Sequence, residues 1–370
     1  MTVLFLVNGD QHSAMGDRAA AFARRLPARW RSVQAWRTGS RREAGRVFAD
    51  ALEGVRPDVV YVMDLAVAGV TATLRWRLRH RAAVVVDTGD AITALAHSTG
   101  RGPLALAATA ALEQLGLRMA DHVVVRGTRH QEMLSARGRA STVIPDGVHL
   151  DAFAAVDPAP VREELRLADS FVVGLLGSCT WNPRLQIAYG WDIVEALAFL
   201  RDLPVTVLFV GDGSGIAHLR RRAEALGVLD RLRFAGRRPL PDLPALLSAC
   251  DVCLSTQTND AVGQVRTTGK LPLYLACQRF VLATAVGEAA RVLPPEMLLP
   301  YEGTVDRSYP RRLAARIREL LPMAPLVSPT SRHIAAAHFD YDRLAAKVEH
   351  VLDGIVGSRT VPALASSADR

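Results

Sequence analysis

Lysine is almost absent from this chain. Only Lys270 and Lys347 occur among the 45 basic residues of 370, so the formal net charge of +8 is carried almost entirely by arginine. Cysteine is scarce as well. The lone C-x-x-C of Cys250 and Cys253 has no second pair, which excludes a disulfide framework and leaves a zinc site incomplete. The thiols therefore read as core residues of a protein kept in a reducing compartment. No apolar run reaches the roughly 18 residues that a membrane-spanning helix needs. Leu4 to Val7 is too short, and too soon followed by Gly9 and Asp10, to be a signal peptide. A cytoplasmic location is expected. Gly and Pro stand near average usage, which excludes collagen-like and disordered classes. Glutamate is missing altogether between Glu224 and Glu288.

What is present is alternation. Short β-branched runs near Thr2–Asn8, Ser32–Trp36, Val59–Met63, Ala83–Asp87, His122–Val125 and Thr142–Ile144 alternate with longer Ala/Leu/Arg stretches of helical periodicity, such as Ala14–Leu26, Arg42–Glu53, Leu65–Arg79, Leu104–Met119 and Thr128–Ala136. Crossovers of that length make a parallel sheet, so residues 1–152 are expected to form one doubly wound α/β domain. Asp151–Pro160 lacks periodicity and reads as a linker. The pattern then begins again over 161–330, with strands expected near Phe171–Leu176, Val205–Val210, Arg231–Phe234, Val252–Ser255 and Phe280–Thr284. Each precedes a helical segment: Leu185–Leu200, Gly215–Leu226, Leu243–Ala249, Gly269–Cys277 and Glu288–Val292. Two Rossmann-like domains in tandem account for this order. After a helix over Tyr309–Leu321 come a Pro/Ser loop, a terminal helix within 340–356 and a frayed tail, Gly357–Arg370. Charge is divided unevenly: residues 1–150 hold 20 Arg against 13 acidic residues, and 151–370 hold 25 basic against 24 acidic. An anionic partner for the first half follows. Nothing in the composition or the motifs singles out nucleic acid as that partner.

Parallel sheets bind ligands outside the carboxyl ends of their strands, and two facing sheets would share one cleft. In the second domain the loops at those ends carry Gly177, Trp181 and Arg184, then Gly211 and Gly213, then Arg237, then Asn259 and Asp260. They supply glycines for close backbone approach and cations for phosphate oxygens. Thr267, Thr268, Gly269 and Lys270 stand at an expected helix start, whose unpaired N–H groups and partial positive charge suit a diphosphate. An N-capped helix with a solvated lysine is the plainer alternative. The Gly211–Gly215 loop misses the dinucleotide fingerprint and fits a tight strand-to-helix turn. In the first domain Gly16 opens a helix, and Asp87-Thr-Gly-Asp90 puts two carboxylates at a sheet edge. One could act as a general base or hold a sugar hydroxyl, or Asp90 could simply cap the next helix. His12 and His97 are further candidates. His122 and His130 have no third partner, so no metal site is expected.

Several of these segments resemble GT-B glycosyltransferases, most closely those of family 4. Val143-Ile-Pro-Asp-Gly-Val-His-Leu-Asp-Ala-Phe153 is similar to that family's V-I-P-N-G-V-D-x-x-x-F. Leu208-Phe-Val-Gly-Asp-Gly213, Leu232-Arg-Phe-Ala-Gly236 and Lys270-Leu-Pro-Leu-Tyr-Leu-Ala-Cys-Gln-Arg-Phe-Val-Leu-Ala-Thr284 match further family segments in order. The resemblance implies an α/β GT-B architecture, with an acceptor-binding first domain onto which the terminal helix returns and a nucleotide-sugar-binding second domain. It implies transfer of a sugar, with retention, from a nucleotide diphosphate donor such as a UDP-sugar to a hydroxyl of a glycan, glycolipid or small natural product. No cofactor and no metal are expected, since positive side chains and a helix terminus can take a metal's place. Asp87, Asp90, Arg184 and Lys270 would act in catalysis. The chain departs from the family where Leu273 replaces the second glutamate of E-x7-E; Asn259 or Asp260 could replace the first. Asp87-Thr-Gly-Asp90 stands where the family commonly has a histidine. A non-catalytic sugar-nucleotide or glycan-binding protein and a nucleotide-sugar 2-epimerase are the alternatives. The acceptor could be anionic or lipid-linked. Arg24, Arg25, Arg29 and Arg31, with Arg75, Arg77, Arg79 and Arg81, could touch an anionic membrane at its inner face, or could be a solvated surface.

Overall fold

The computed structural model describes residues 1–360 and divides them into two compact units. One comprises Met1–Thr93, Gly102–Pro145 and the chain from Tyr341; the other comprises Ala94–Arg101 and Asp146–Asp340.

The first unit is a six-stranded parallel sheet of β1 (Thr2–Val7), β2 (Arg31–Trp36), β3 (Val59–Met63), β4 (Ala83–Thr88), β5 (His122–Val125) and β6 (Ser141–Val143), in the order β2-β1-β3-β4-β5-β6. Alternate residues of β1 enter opposite cores: Val3, Phe5 and Val7 pack in one cluster, Leu4 and Leu6 in the other. A strand apolar on both faces has helices over both, which is why these runs show little polar alternation. The terminal helix Tyr341–Thr360 lies on Ala14–Arg25 and presents Leu344, Val348 and Leu352, four residues apart, to the first core. Phe22 meets Tyr341 edge to face at 5.9 Å. Arg25 pairs with Asp342, and Arg29 with Glu349 and Asp353. Two arginines of the suggested membrane patch are therefore already neutralised inside this unit. A third, Arg77, is paired with Asp121. The helix runs through Thr360, beyond the expected fraying point at Gly357; residues 361–370 lie outside the described residues.

The second unit holds β7 (Phe171–Leu176), a small antiparallel hairpin of β8 (Trp181–Asn182) and β9 (Ile187–Ala188), then β10 (Val205–Val210), β11 (Leu232–Gly236), β12 (Val252–Ser255), β13 (Phe280–Thr284) and β14 (Leu298–Leu299). Its main sheet is parallel, in the order β11-β10-β7-β12-β13-β14. The chain moves outward from β7 on one side and then returns to the other, so the topological switch lies between β7 and β12.

Three expectations are corrected here. The segment expected as the helix Leu185–Leu200 opens with β9, and only Trp191–Leu197 is helical. Two-residue strands carry too little periodicity to be seen in sequence. The Pro/Ser loop contains the helix Pro329–His338, capped by the Ser328 side chain on the Ser331 N–H. Finally, Asp151–Pro160 is not a free linker: Phe153 is buried in the second unit's core, the Val156 N–H donates to Ser248 Oγ at 3.0 Å, and the unit begins at Asp146.

Candidate active site

At the switch point the two central strands part. β12 pairs with β7 only at Val252–Val173 and Cys253–Gly174, so the last residues of β7 need other partners. The Leu176 N–H donates instead to Tyr274 Oη at 2.6 Å. Tyr274 is hydrogen-bonded to Tyr189, whose hydroxyl donates to the Leu254 carbonyl at 2.7 Å. This relay satisfies backbone groups on both strands and keeps them separated. Burial raises both phenols above their ordinary range, so they remain neutral donors.

Lys270, at the start of the helix Lys270–Ala276, sits on this floor. Its Nζ lies 3.4 Å from the Tyr189 ring centroid, a cation–π contact, and a Cβ on Gly177 would stand 3.5 Å from it. Burial, with the charge of Arg266 adding to it, lowers the ammonium from 10.5 to about 7. Among the described residues no carboxylate pairs with Lys270. The plainer reading of a solvated lysine does not describe this half-buried side chain. Next to it the Thr267 Oγ1 is buried with no hydrogen-bond partner, while Thr268 Oγ1 lies 3.3 Å from Ser255 Oγ. Gly269 opens the helix with the Asp146 carboxylate beside it, 3.7 Å from where a Cβ would stand.

The glycine-rich loops explain each other. A Cβ on Gly211 would overlap the Gly177 carbonyl, and one on Gly213 would stand 2.6 Å from the Cys179 carbonyl. Both glycines have positive φ, +143° and +150°. The Cys179 N–H donates to Asp212 O at 2.9 Å, and Cys179 O accepts from the Gly215 N–H at 2.7 Å. This loop is a backbone-to-backbone clasp after β7 and β10, and it holds Gly177 under the Lys270 ammonium.

The other expected residues fall into different roles. Trp181 is stacked on His218 at 3.7 Å. Arg184 is exposed and its Nη1 donates to the His97 carbonyl at 2.8 Å; His97 is engaged there through its backbone. Arg237 is exposed beyond β11. Asn259 ties loops together, donating to Tyr301 O and accepting from Gln264 Nε2. Asp260 caps the short helix Ala261–Val265 by accepting from Val262 and Gly263 N–H, so this carboxylate oxygen is in use. Asp192 went unnoticed in the sequence. Burial, then Asp306 and Glu195, push its carboxyl up to about 7. No motif marks it: Glu195 stands on the same helix, but Asp306 comes from a distant part of the chain.

In the first unit Asp87 is corrected. It is 0% exposed, and its carboxylate accepts from Arg18 Nε at 3.0 Å and Tyr61 Oη at 3.1 Å, with Arg126 Nε 3.5 Å from the other oxygen. A carboxylate so enclosed has no surface for a sugar. Arg18 is equally buried, and its remaining donors go to the carbonyls of Ile144 and Pro145. Arg126 also reaches Asp64 at 3.1 Å. Asp90 is half-buried, and its charge acts on the buried His130, whose ring burial lowers to about 4. The capping role suggested for Asp90 is filled by Glu113, which accepts from the Ile92 N–H at 3.0 Å. Gly16 is a packing glycine: its N–H donates to the Ser13 cap, and a Cβ would strike the Asp10–Gln11 backbone. His12 is exposed beside Gln11. Among the described residues no group of three His, Cys, Asp or Glu side chains gathers as metal ligands would, and His122 is bonded to Thr142. No described helix is long and apolar enough to cross a membrane.

Comparison with known proteins agrees with this architecture. The family model for Glycosyl transferases group 1 matches residues 170–322. A GDP-mannose-dependent α-(1-6)-phosphatidylinositol monomannoside mannosyltransferase of Mycolicibacterium smegmatis is 32% identical over 274 residues, 70% of this chain and 68% of that one. A 2-deoxystreptamine glucosyltransferase of Streptomyces kanamyceticus is 30% identical over 164 residues, 41% of each chain. With three curated relatives, including the latter, the match spans less than half of the relative's length, 41%, 43% and 48%. The solved structure of Anabaena HepE in complex with UDP-glucose superposes with a TM-score of 0.75 at 19% identity, covering 96% of this chain and 100% of that one.

Proposed function

The chain belongs to the glycosyl transferases of group 1, and from that premise we propose that it moves a sugar from a nucleotide diphosphate donor to an acceptor hydroxyl. The observation that carries this reading is the Lys270 ammonium, held at the carboxyl end of β7 over Tyr189, beside Gly177 and with no carboxylate among the described residues to neutralise it. Cleaving the bond between the anomeric carbon and the diphosphate leaves negative charge on the departing oxygen. A cation already fixed in a half-buried site stabilises that charge with little reorganisation. A bound diphosphate would also return the ammonium to its charged state. The orphaned Thr267 hydroxyl offers a donor to the same ligand. With these groups supplying the positive field, the reading needs no metal and no cofactor. Retention at the anomeric carbon is part of the proposal and rests on family membership.

The donor class is a UDP- or GDP-sugar, the two kinds named for the solved neighbour and the mannosyltransferase relative. The basic first half fits an acceptor that is anionic or lipid-linked. Thermal unfolding with UDP, GDP, ADP and dTDP tests the reading, because a ligand bound only by the native state raises the melting temperature. One diphosphate should raise it, and Lys270→Ala should abolish the rise. No shift with any of them would overturn the proposal.

A further inference from the structure

Lys270 is placed by its helix and by little else. No hydrogen bond among the described residues fixes the ammonium, and its contact with the Tyr189 ring is electrostatic and only loosely directional. The near end of the helix Lys270–Ala276 has no side-chain cap. Seven residues are too few to hold a helix by themselves, so its ends need outside partners. At the far end the terminal carbonyls are all taken. Those of Leu273, Tyr274 and Leu275 accept from the Cys277, Arg279 and Gln278 N–H groups at 3.1, 3.0 and 3.0 Å. The next two are held by side chains: Ala276 O accepts from Arg332 Nη1 and Cys277 O from Arg279 Nε, both at 2.8 Å.

Arg332 does more than cap. Its Nη2 donates to Leu150 O at 2.9 Å and its Nη1 also to Phe153 O, so one guanidinium ties the helix to the segment 146–153. That segment already meets the near end of the helix, where the Asp146 carboxylate stands beside Gly269. It is anchored in turn, because the Val148 N–H donates to Phe339 O at 2.8 Å. Arg332 itself stands on the helix Pro329–His338, whose Ser331, 0% exposed, donates to Arg279 O at 2.8 Å. We propose that Arg332 is a positioning residue for Lys270: it fixes the helix against the segment 146–153 and so sets where the ammonium stands over Tyr189. Tyr274, bonded to the Leu176 N–H, fixes how the helix is turned; Arg332 fixes its tilt and its place along the axis. At the rise of an α-helix, Ala276 lies only about 9 Å from Lys270, so a shift at one end reaches the other. The inference rests on the transferase reading for what Lys270 does, not for where it stands.

Only two lysines occur in the chain, which makes the surroundings of one of them measurable. Competitive acetylation with acetic anhydride from acid to alkaline pH, read by peptide mass spectrometry, follows Lys270, with the exposed Lys347 as internal standard. In the parent the Lys270 amine should become reactive as pH passes about 7. In Arg332→Met the side chain slips toward water and that midpoint should climb by about one pH unit or more, while affinity for UDP or GDP falls at least about tenfold. Arg332→Lys, which can still reach one carbonyl, should restore part of both, and it carries the comparison where Arg332→Met does not fold. Arg231→Met is the control. Arg231 also ends on three carbonyls, those of Leu200, Arg201 and Leu203, none of them in this helix, so its loss should lower the melting temperature without moving the Lys270 midpoint. Arg266 and Cys179, the groups whose charge acts on the ammonium, are the same in every variant. A midpoint in the Arg332 variants equal to the parent's would overturn the proposal, as would an equal rise in Arg231→Met. Acetylation is measured without nucleotide, so a chain that binds no diphosphate would sink the transferase reading and leave the positioning result standing.

Discussion

The carboxyl ends of the two sheets solve the same electrostatic problem in opposite ways. In the first unit Arg18 and Arg126 face Asp87 and Asp64, the charges balance, and the donors of Arg18 end on backbone carbonyls. In the second, one ammonium rests on a phenol ring with no carboxylate among the described residues paired to it. Residues of the same chemical kind at equivalent strand ends therefore mean different things. A saturated cluster is closed on itself and fixes the Ile144–Pro145 segment through its carbonyls; an unsaturated cation is a place for an anion.

The largest effect should come from breaking the saturated side. Asp87→Ala leaves the buried Arg18 uncompensated and should cost about 3–5 kcal/mol of stability, read from urea denaturation. A loss below about 1 kcal/mol would mean that the pair is not closed as described. Lys270→Met should do the reverse, keeping or raising stability at neutral pH while lowering kcat/KM for transfer by about a hundredfold or more. Equal loss of stability in both variants would erase the contrast.

Acidity sharpens it further. Lys270 has a lowered pKa in the folded chain, so between about 7 and 10.5 the unfolded chain binds more protons. The cost of burying its charge is therefore full below about 7 and relieved as pH rises toward 10.5. Diphosphate affinity should run the other way, falling as pH climbs through about 7 with a limiting slope of about tenfold per unit. Titration calorimetry with UDP or GDP measures this. The slope should survive Asp192→Asn, since that carboxyl, raised to about 7, also changes charge there, and should vanish in Lys270→Met. The smallest effect belongs to Thr267→Val. It removes a hydroxyl without a partner, so free-protein stability should hold within about 0.5 kcal/mol, whereas a donor bonded to it would lose about 1 kcal/mol, several-fold in Kd. Unchanged affinity would remove Thr267 from the site.

The doubly wound architecture was legible because both sheets are buried on both faces. A run such as Val84-Val85-Val86 in β4 needs no polar alternation, and the helices between the strands keep their 3.6-residue period. Lys270 stood out because lysine is so rare here. The hairpin β8–β9 and the helix Pro329–His338 were missed because short pairings and a Ser-capped Pro start look like loop in a linear reading. Asp87 was misplaced for a different reason. Its neighbours in sequence, Thr88 and Gly89, look like a strand end, whereas its partners Arg18, Tyr61 and Arg126 come from three other parts of the chain.

By itself the chain's residue order determined two parallel α/β units and the candidate lysine between a glycine loop and a helix, because periodicity and local turn chemistry act over a few neighbours. Only the tertiary structure decided which charges are spent on one another and which remain for a ligand. Burial and pairing depend on groups that meet across tens of residues, and desolvation makes the difference between them large.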